Sequence, residues 1–419
     1  MKKVFLVLGL LICIGSAQGQ WQPAGFSGSN IKCIAQHPQD TSTMLVSVVD
    51  SIFQSLDGGY SWSFLTHFNG LPVNCMMYDP IHFDTVYALL GNGSFSDGIY
   101  RSTDGGYNWA VVEWMLCPRD MFIFHPIILV GGDGPGVFKS EDNGNTWIVW
   151  NAGLADSHVH AVSYCAPFGD SLPIFFAGTS QGLFFRSLDT WTQANGIAVN
   201  VRVSSIAHAE DADLGFATVG CGSWSDGIYR STDFGQTWQV VHWWIYSSCV
   251  AMNPAWQYYP YDTFGIFAGD SGLGVSYSSD CGTSWQEVNS GLGNLFVNML
   301  SFHPQDSMRL FAATQEGLYR YQYSPGVTEN RVGELNVSAI RMPTVQRAGV
   351  PITLSYSVLD NAIVLPFWVR IFDATGRLKS IETLDPGSSV LAPIHESGVY
   401  FLTIVDQGRL HKEKIIIVD

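Results

Sequence analysis

Between residues 30 and 322 the apolar and polar positions fall into short runs of strand length, separated by Gly, Pro, Asn and Asp. In VNCMMYD, TVYALL, GIYRS and WAVVEW, which lie between Val73 and Trp114, apolar residues alternate with polar ones or stand side by side. None of these runs is long enough for an amphipathic helix, so each reads as a strand and the four together, a to d, as one antiparallel unit. The plan restarts near residues 30, 72, 118, 158, 201, 247 and 297. The last copy, VNMLSFHPQDSMRLFAATQEGLYRYQ, has only strands a to c, and WQPAGF at 21–26 is expected to supply its fourth strand and leave no exposed sheet edge.

A second pattern lies over the runs. Ser-x-Asp-x-Gly-x-x-Trp occurs as SLDGGYSW (55–62), STDGGYNW (102–109), SEDNGNTW (140–147), STDFGQTW (231–238) and SSDCGTSW (278–285), with a clipped copy, SLDTW, from Ser187. The aspartates Asp57, Asp104, Asp142, Asp189, Asp233 and Asp280 are 47, 38, 47, 44 and 47 residues apart, the length of one four-stranded propeller blade. The expected fold is all-β: a seven-bladed β-propeller over 20–323, a linker at 324–330, and a small C-terminal β-sandwich over 331–419. In a turn between strands c and d, Asp can accept backbone amides, Gly can take a left-handed conformation, and Trp can cover the hairpin. A catalytic residue is rarely wanted six times around a ring, so the six aspartates read as structural.

The N-terminal MKKVFLVLGLLICIGSAQGQ has two lysines, a short apolar run and small residues, the pattern of a secretory signal cut after Gly19. The signal peptide is thus assigned to 1–19. No later run is long enough for stable membrane insertion as a helix. Seven cysteines follow, none with the close spacing of a zinc site, so neither metal nor other cofactor is expected. Cys33, Cys75 and Cys249 each stand five residues before a proline and read as buried thiols in one column of a repeated core. Residues 20–323 carry nine Lys and Arg against 26 Asp and Glu, a surface that repels phosphate backbones and argues against nucleic acid as a partner.

The octets resemble the Asp-box, or BNR, repeats of sialidase-type propellers, of the sortilin propeller, of xyloglucan-cleaving glycosidases and of the photosystem assembly factor family. That resemblance implies a propeller whose boxes lie away from the usual binding face. A sialidase site would need three converging arginines, and four of the seven propeller arginines, Arg101, Arg186, Arg230 and Arg320, share one repeated place after strand c aromatics. The b-to-c and d-to-a loops are where functional residues are expected. Candidates there are the aromatics Phe95, Trp114, Trp224, Trp243 and Trp244 for ligand stacking, and the carboxylates Asp97, Asp133, Asp226 and Asp270 should the protein be catalytic. The near-identical GSFSDG and GSWSDG, at 93–98 and 222–227, set an aromatic and a carboxylate in matching loops, although SDG also reads as a turn with an Asp cap.

The C-terminal runs IFDATGR, SGVYFLTI and EKIIIVD resemble the type A sorting domain of the type IX (Por) secretion system. The resemblance implies a Gram-negative cell, passage through the periplasm, contact with the type IX machinery, and a destination in the medium or on the outer cell surface. Functionally, the expectation is a non-catalytic module that binds an extracellular glycan or protein. The alternative is a glycoside hydrolase acting on extracellular polysaccharide.

Overall fold

The computed structural model describes residues 19–322, apart from 166–172, 187–188, 209–214, 220–226, 244–246, 254–264, 281 and 304–305, together with the strands between 340 and 418. The chain divides into two compact units, Met1–Gly326 and Val327–Asp419.

In the first unit every sheet is antiparallel and four-stranded. Six blades, not seven, are continuous in sequence; strand a opens them at Ile31, Val73, Pro118, Val159, Val203 and Ser247. A further sheet is composite, because Val297–His303, Asp306–Thr314 and Gly317–Gln322 take their outer strand from Trp21–Gly25 at the other end of the chain. Trp21 pairs with Tyr321, and its indole donates to Val288 O of the preceding blade at 2.7 Å. The a strands follow one another around a closed circuit, with Val297–His303 lying beside Ile31–Gln36. The architecture is an all-β propeller.

Burial explains the run pattern. Strand b is sandwiched between neighbouring blades, so Val86–Leu90 is buried at every position and reads as an unbroken apolar run. Strand d faces outward, and Ala110–Trp114 is largely exposed.

The a strands present amides toward the ring axis with no further strand to receive them, and the previous blade caps them. Met76 N donates to Cys33 Sγ at 2.8 Å, Val162 N to Asp120 Oδ2 at 2.9 Å, Val250 N to Ser205 Oγ at 3.3 Å and Ile34 N to Met299 Sδ at 3.4 Å. Cys75 and Cys249 stand at the matching seam positions, close to the amides of Met121 and Leu300. The column of thiols therefore lines the seams, with Cys33 as an acceptor. Cys33, Cys75, Cys117, Cys165 and Cys249 form no disulfide among the described residues, and burial pushes the Cys249 thiol up to about 11, so it remains protonated.

The boxes repeat one hydrogen-bond network. In the second blade Ser102 Oγ donates to Asp104 Oδ1 at 2.8 Å and accepts from Gly106 N at 2.9 Å, while Asn108 N donates to Asp104 Oδ1 at 2.9 Å. Asp57, Asp142, Asp233 and Asp280 are bonded alike. Gly106 has φ +99°, and a Cβ there would meet Leu65 Cδ2 at 3.0 Å, so the turn requires glycine. In the clipped copy, the Arg186 guanidinium donates to Asp189 O instead.

In the second unit, Val345–Arg347, Arg409–Val418, Gly398–Asp406, Phe367–Asp373 and Leu378–Leu384 form one five-stranded sheet in that order. The first pair is parallel and the others are antiparallel.

Candidate ligand-binding face

At the loop end of every a strand the register against strand b slips at one place. The slips fall between Ile31 and Ile34, Val73 and Cys75, Pro118 and Asp120, Val159 and Ala161, Val203 and Ser205, Ser247 and Cys249, and Val297 and Met299. A β-bulge sets two residues against one and re-aims the extra side chain. The second residue of each a strand sits in that slip: Lys32, Asn74, Arg119, His160, Ser204, Ser248 and Asn298. A polar ring thus surrounds the axis at the end away from the boxes.

Three of these residues staple seams. Asn74 Nδ2 donates to Pro118 O at 3.1 Å, Asn298 Nδ2 to Ile31 O at 2.8 Å, and Ser248 Oγ to Val297 O. Lys32 and Arg119 are exposed instead. Partial desolvation, and then the nearby Arg119 charge, lower the Lys32 ammonium from its ordinary value. Arg119 Nη2 meets Asp133 Oδ2 at 2.9 Å. His160 Nε2 lies 2.7 Å from Ser180 Oγ, and burial, reinforced by the Arg202 charge, lowers its imidazole to about 4, so it is neutral at physiological pH. His158 Nδ1 contacts Asp156 Oδ1 at 2.8 Å, and that hydrogen bond raises the exposed imidazole. Lys32, Arg119 and Arg202 thus gather cationic groups at one mouth of a strongly acidic unit.

The loops around this ring are braced. Gly134 N and Gly136 N both donate to Ser157 O, and Gly272 N and Gly274 N both donate to Leu295 O, so the b-to-c loops of the third and sixth blades rest on the d-to-a loops beside them. Asn151 and Asn289 add side-chain bonds to Val137 N and Val275 N at 2.8 and 2.7 Å.

The sequence candidates separate on this frame. Asp97 is only 2% exposed; its carboxylate accepts from Asn92 N, Gly93 N, Ser94 N and Cys117 N at 2.8 to 3.1 Å. Burial pushes its pKa up, but these amides outweigh burial and hold it below the usual carboxylate range. Asp97 therefore caps its own loop. Asp133 is engaged by Arg119, and buried Asp270 accepts Leu273 N at 3.1 Å. Asp226, Trp224 and Trp244 lie outside the described residues. Phe95 is fully exposed at the tip of the Asp97 loop, and Trp114 is 57% exposed at the end of strand d. Trp243 pairs with Gly227 as Trp114 pairs with Gly98, so the two tryptophans hold equivalent backbone positions. Sequence reasoning missed the bulged ring and the exposed apolar residues Leu116, Leu273, Leu295 and Phe296 on the same face.

No family model and no curated protein matches the chain. Solved structures share its fold. YCF48 bound to D1 peptide superposes with a TM-score of 0.53 at 13% identity, over 73% of this chain and 97% of that one. The GH74 enzyme of Niastella koreensis gives 0.58 at 13% identity, over 94% and 74%. The extracellular domain of BT4673 from B. thetaiotaomicron gives 0.56 at 14%, over 95% of this chain and 52% of that domain. At these identities the likeness is one of fold alone, that of a β-propeller.

Proposed function

We propose that this protein is an exported, non-catalytic binding module that takes an extracellular glycan or protein on the loop face of its propeller. The observation that carries this reading is the bulged ring: exposed cationic groups and aromatics stand on a braced face whose described carboxylate candidates are already engaged. A glycosidase needs two carboxyl groups free to act as acid and as base or nucleophile. Asp97, Asp133 and Asp270 hold a loop, an arginine and a turn amide instead. Among structures of the same fold, one is a peptide complex and another a GH74 enzyme, and the engaged carboxylates favour binding over hydrolysis.

In this reading residues 1–19 direct export and 331–419 are the domain read by the type IX machinery, with delivery to the outer surface or the medium. The test of the binding site is a panel of plant and bacterial polysaccharides and of peptides, offered to the mature protein and to Arg119→Ala and Trp114→Ala. Retention of a panel member, weakened in both variants and accompanied by no released product, is expected. Release of reducing sugar by the parent protein would establish the hydrolase instead. The export reading is tested separately, by truncation after residue 330 and fractionation, with the truncated chain expected in the periplasm.

A further inference from the structure

On the box face, the a-to-b loops of the second and third blades bring Asp79, His82 and His125 together, with one ligand atom from each lying within 4.8 Å of the others. We propose that these three side chains form a binding site for a divalent transition-metal ion, with zinc as the type case. The proposal departs from the expectation that no metal is bound, which rested on cysteine spacing alone.

Asp79 is 1% exposed, and its Oδ1 is committed to its own turn, accepting Ile81 N at 2.8 Å and His82 N at 2.9 Å. That leaves Oδ2, which faces His82 Nδ1 at 3.4 Å. Ligand atoms in a tetrahedral zinc site stand roughly 3.3 Å apart, given bonds of about 2.0 to 2.1 Å, so this pair already has the required separation. His125 comes from the neighbouring blade, and its ring centroid lies 5.0 Å from that of His82. Its Nε2 is buried with no hydrogen-bond partner among the described residues. A buried imidazole nitrogen normally has a partner, and one left bare beside a carboxylate and a second imidazole is what a metal would satisfy. The His82 side chain is 55% exposed and can turn to close the remaining distance, while Asp79 stays fixed by its turn.

Two imidazoles and one carboxylate suit zinc, copper or nickel rather than calcium, which takes an oxygen shell. Three protein ligands leave a fourth position for water or an outside group. An ion held here would tie the second blade to the third on the face away from the proposed ligand site, and would therefore add to thermal stability.

The experiment uses the untagged mature chain, stripped with a chelator and dialysed. Zinc is titrated calorimetrically at neutral pH, and cobalt(II) is added in parallel to read its visible absorption. One ion per chain, a melting temperature that rises with zinc, and a tetrahedral cobalt spectrum are expected. His125→Gln and His82→Gln should each weaken zinc at least about ten-fold while leaving the metal-free melting temperature at the parent value. Should His125→Gln fold poorly, the exposed His82→Gln decides, and Asp79→Asn, which keeps the Oδ1 acceptor for the turn, gives a second reading. No zinc uptake by the folded parent, or undiminished uptake by His82→Gln, would overturn the site.

Discussion

At the box end of the propeller Ser55, Ser102, Ser140, Ser231 and Ser278 each hold an aspartate and a glycine in the same way, whereas at the loop end the equivalent bulge carries lysine, asparagine, arginine, histidine or serine according to the blade. Both ends are equally regular in backbone. They differ in what the regularity holds: one end keeps a side chain because the turn needs it, and the other keeps a bulge and leaves its side chain free to vary. Repetition of residues marks scaffold here, and repetition of geometry with changing residues marks the surface that can specify a ligand.

The largest expected effect comes from removing what both ends share, the closing strand. Deleting residues 20–27 takes away Trp21 and Ala24, and with Ala24 the carbonyl that receives the Trp62 indole at 2.7 Å. Loss of cooperative melting and aggregation are expected by light scattering, and a stable monomer would show that the composite sheet does not close the ring.

Next in size is Asp97→Ala. It strands four backbone amides at a buried position and should cost about 2 to 4 kcal/mol in chemical denaturation, against about 1 kcal/mol for Asp104→Ala, whose turn amides can reach water. Equal costs would mean that the two aspartates cap alike.

The box end should also set the acid limit of the fold. Hydrogen bonds from Asn108 hold Asp104 below its ordinary value, and those from Thr146 lower Asp142 to about 2. Their contribution is complete above about pH 4 and is lost as pH falls through the folded values. Melting temperature should fall steeply between about pH 4 and pH 2, and less steeply in Asp104→Asn.

Asp120, in the seam near the loop end, has the opposite sign. Burial pushes its carboxyl up to about 6, so its favourable contribution is present below about pH 4 and lost as pH rises through 6. Asp120→Asn keeps an acceptor for Val162 N and should gain of order 1 kcal/mol at pH 7 and nothing at pH 4. Thermal melts at the two pH values read the difference directly.

The boxes were legible in the sequence because a turn that needs particular side chains writes them out: Ser102, Asp104, Gly106 and Trp109 appear as letters. The bulged ring was not, because a register slip selects a position and no residue type, so Lys32 and His160 share nothing that a pattern could match. Asp97 was left open between a cap and a site for a related reason. SDG looks the same whether its carboxylate faces solvent or its own loop, and only the fold sets Cys117 N against it, 20 residues on. Phe95, at the tip of a polar loop, and Trp114, at the end of an outer strand, are both exposed because neither place gives an aromatic a core to enter.

The seam acceptors also give the ring a direction. Four blades cap the inner strand of the blade after them with a side chain, as Cys33 does for Met76 and Asp120 for Val162, so these blades are joined like tiles with a tongue on one side and a groove on the other. At the junction of the fourth and fifth blades the corresponding residue is Ala161, which has no tongue to offer. New chain ends placed in the connection between Gln193 and Val203 would fall at a seam where Ala161 offers no such bond. A circular permutant opened between the first and second blades would instead leave the bond from Met76 to Cys33 to form without the chain that links them.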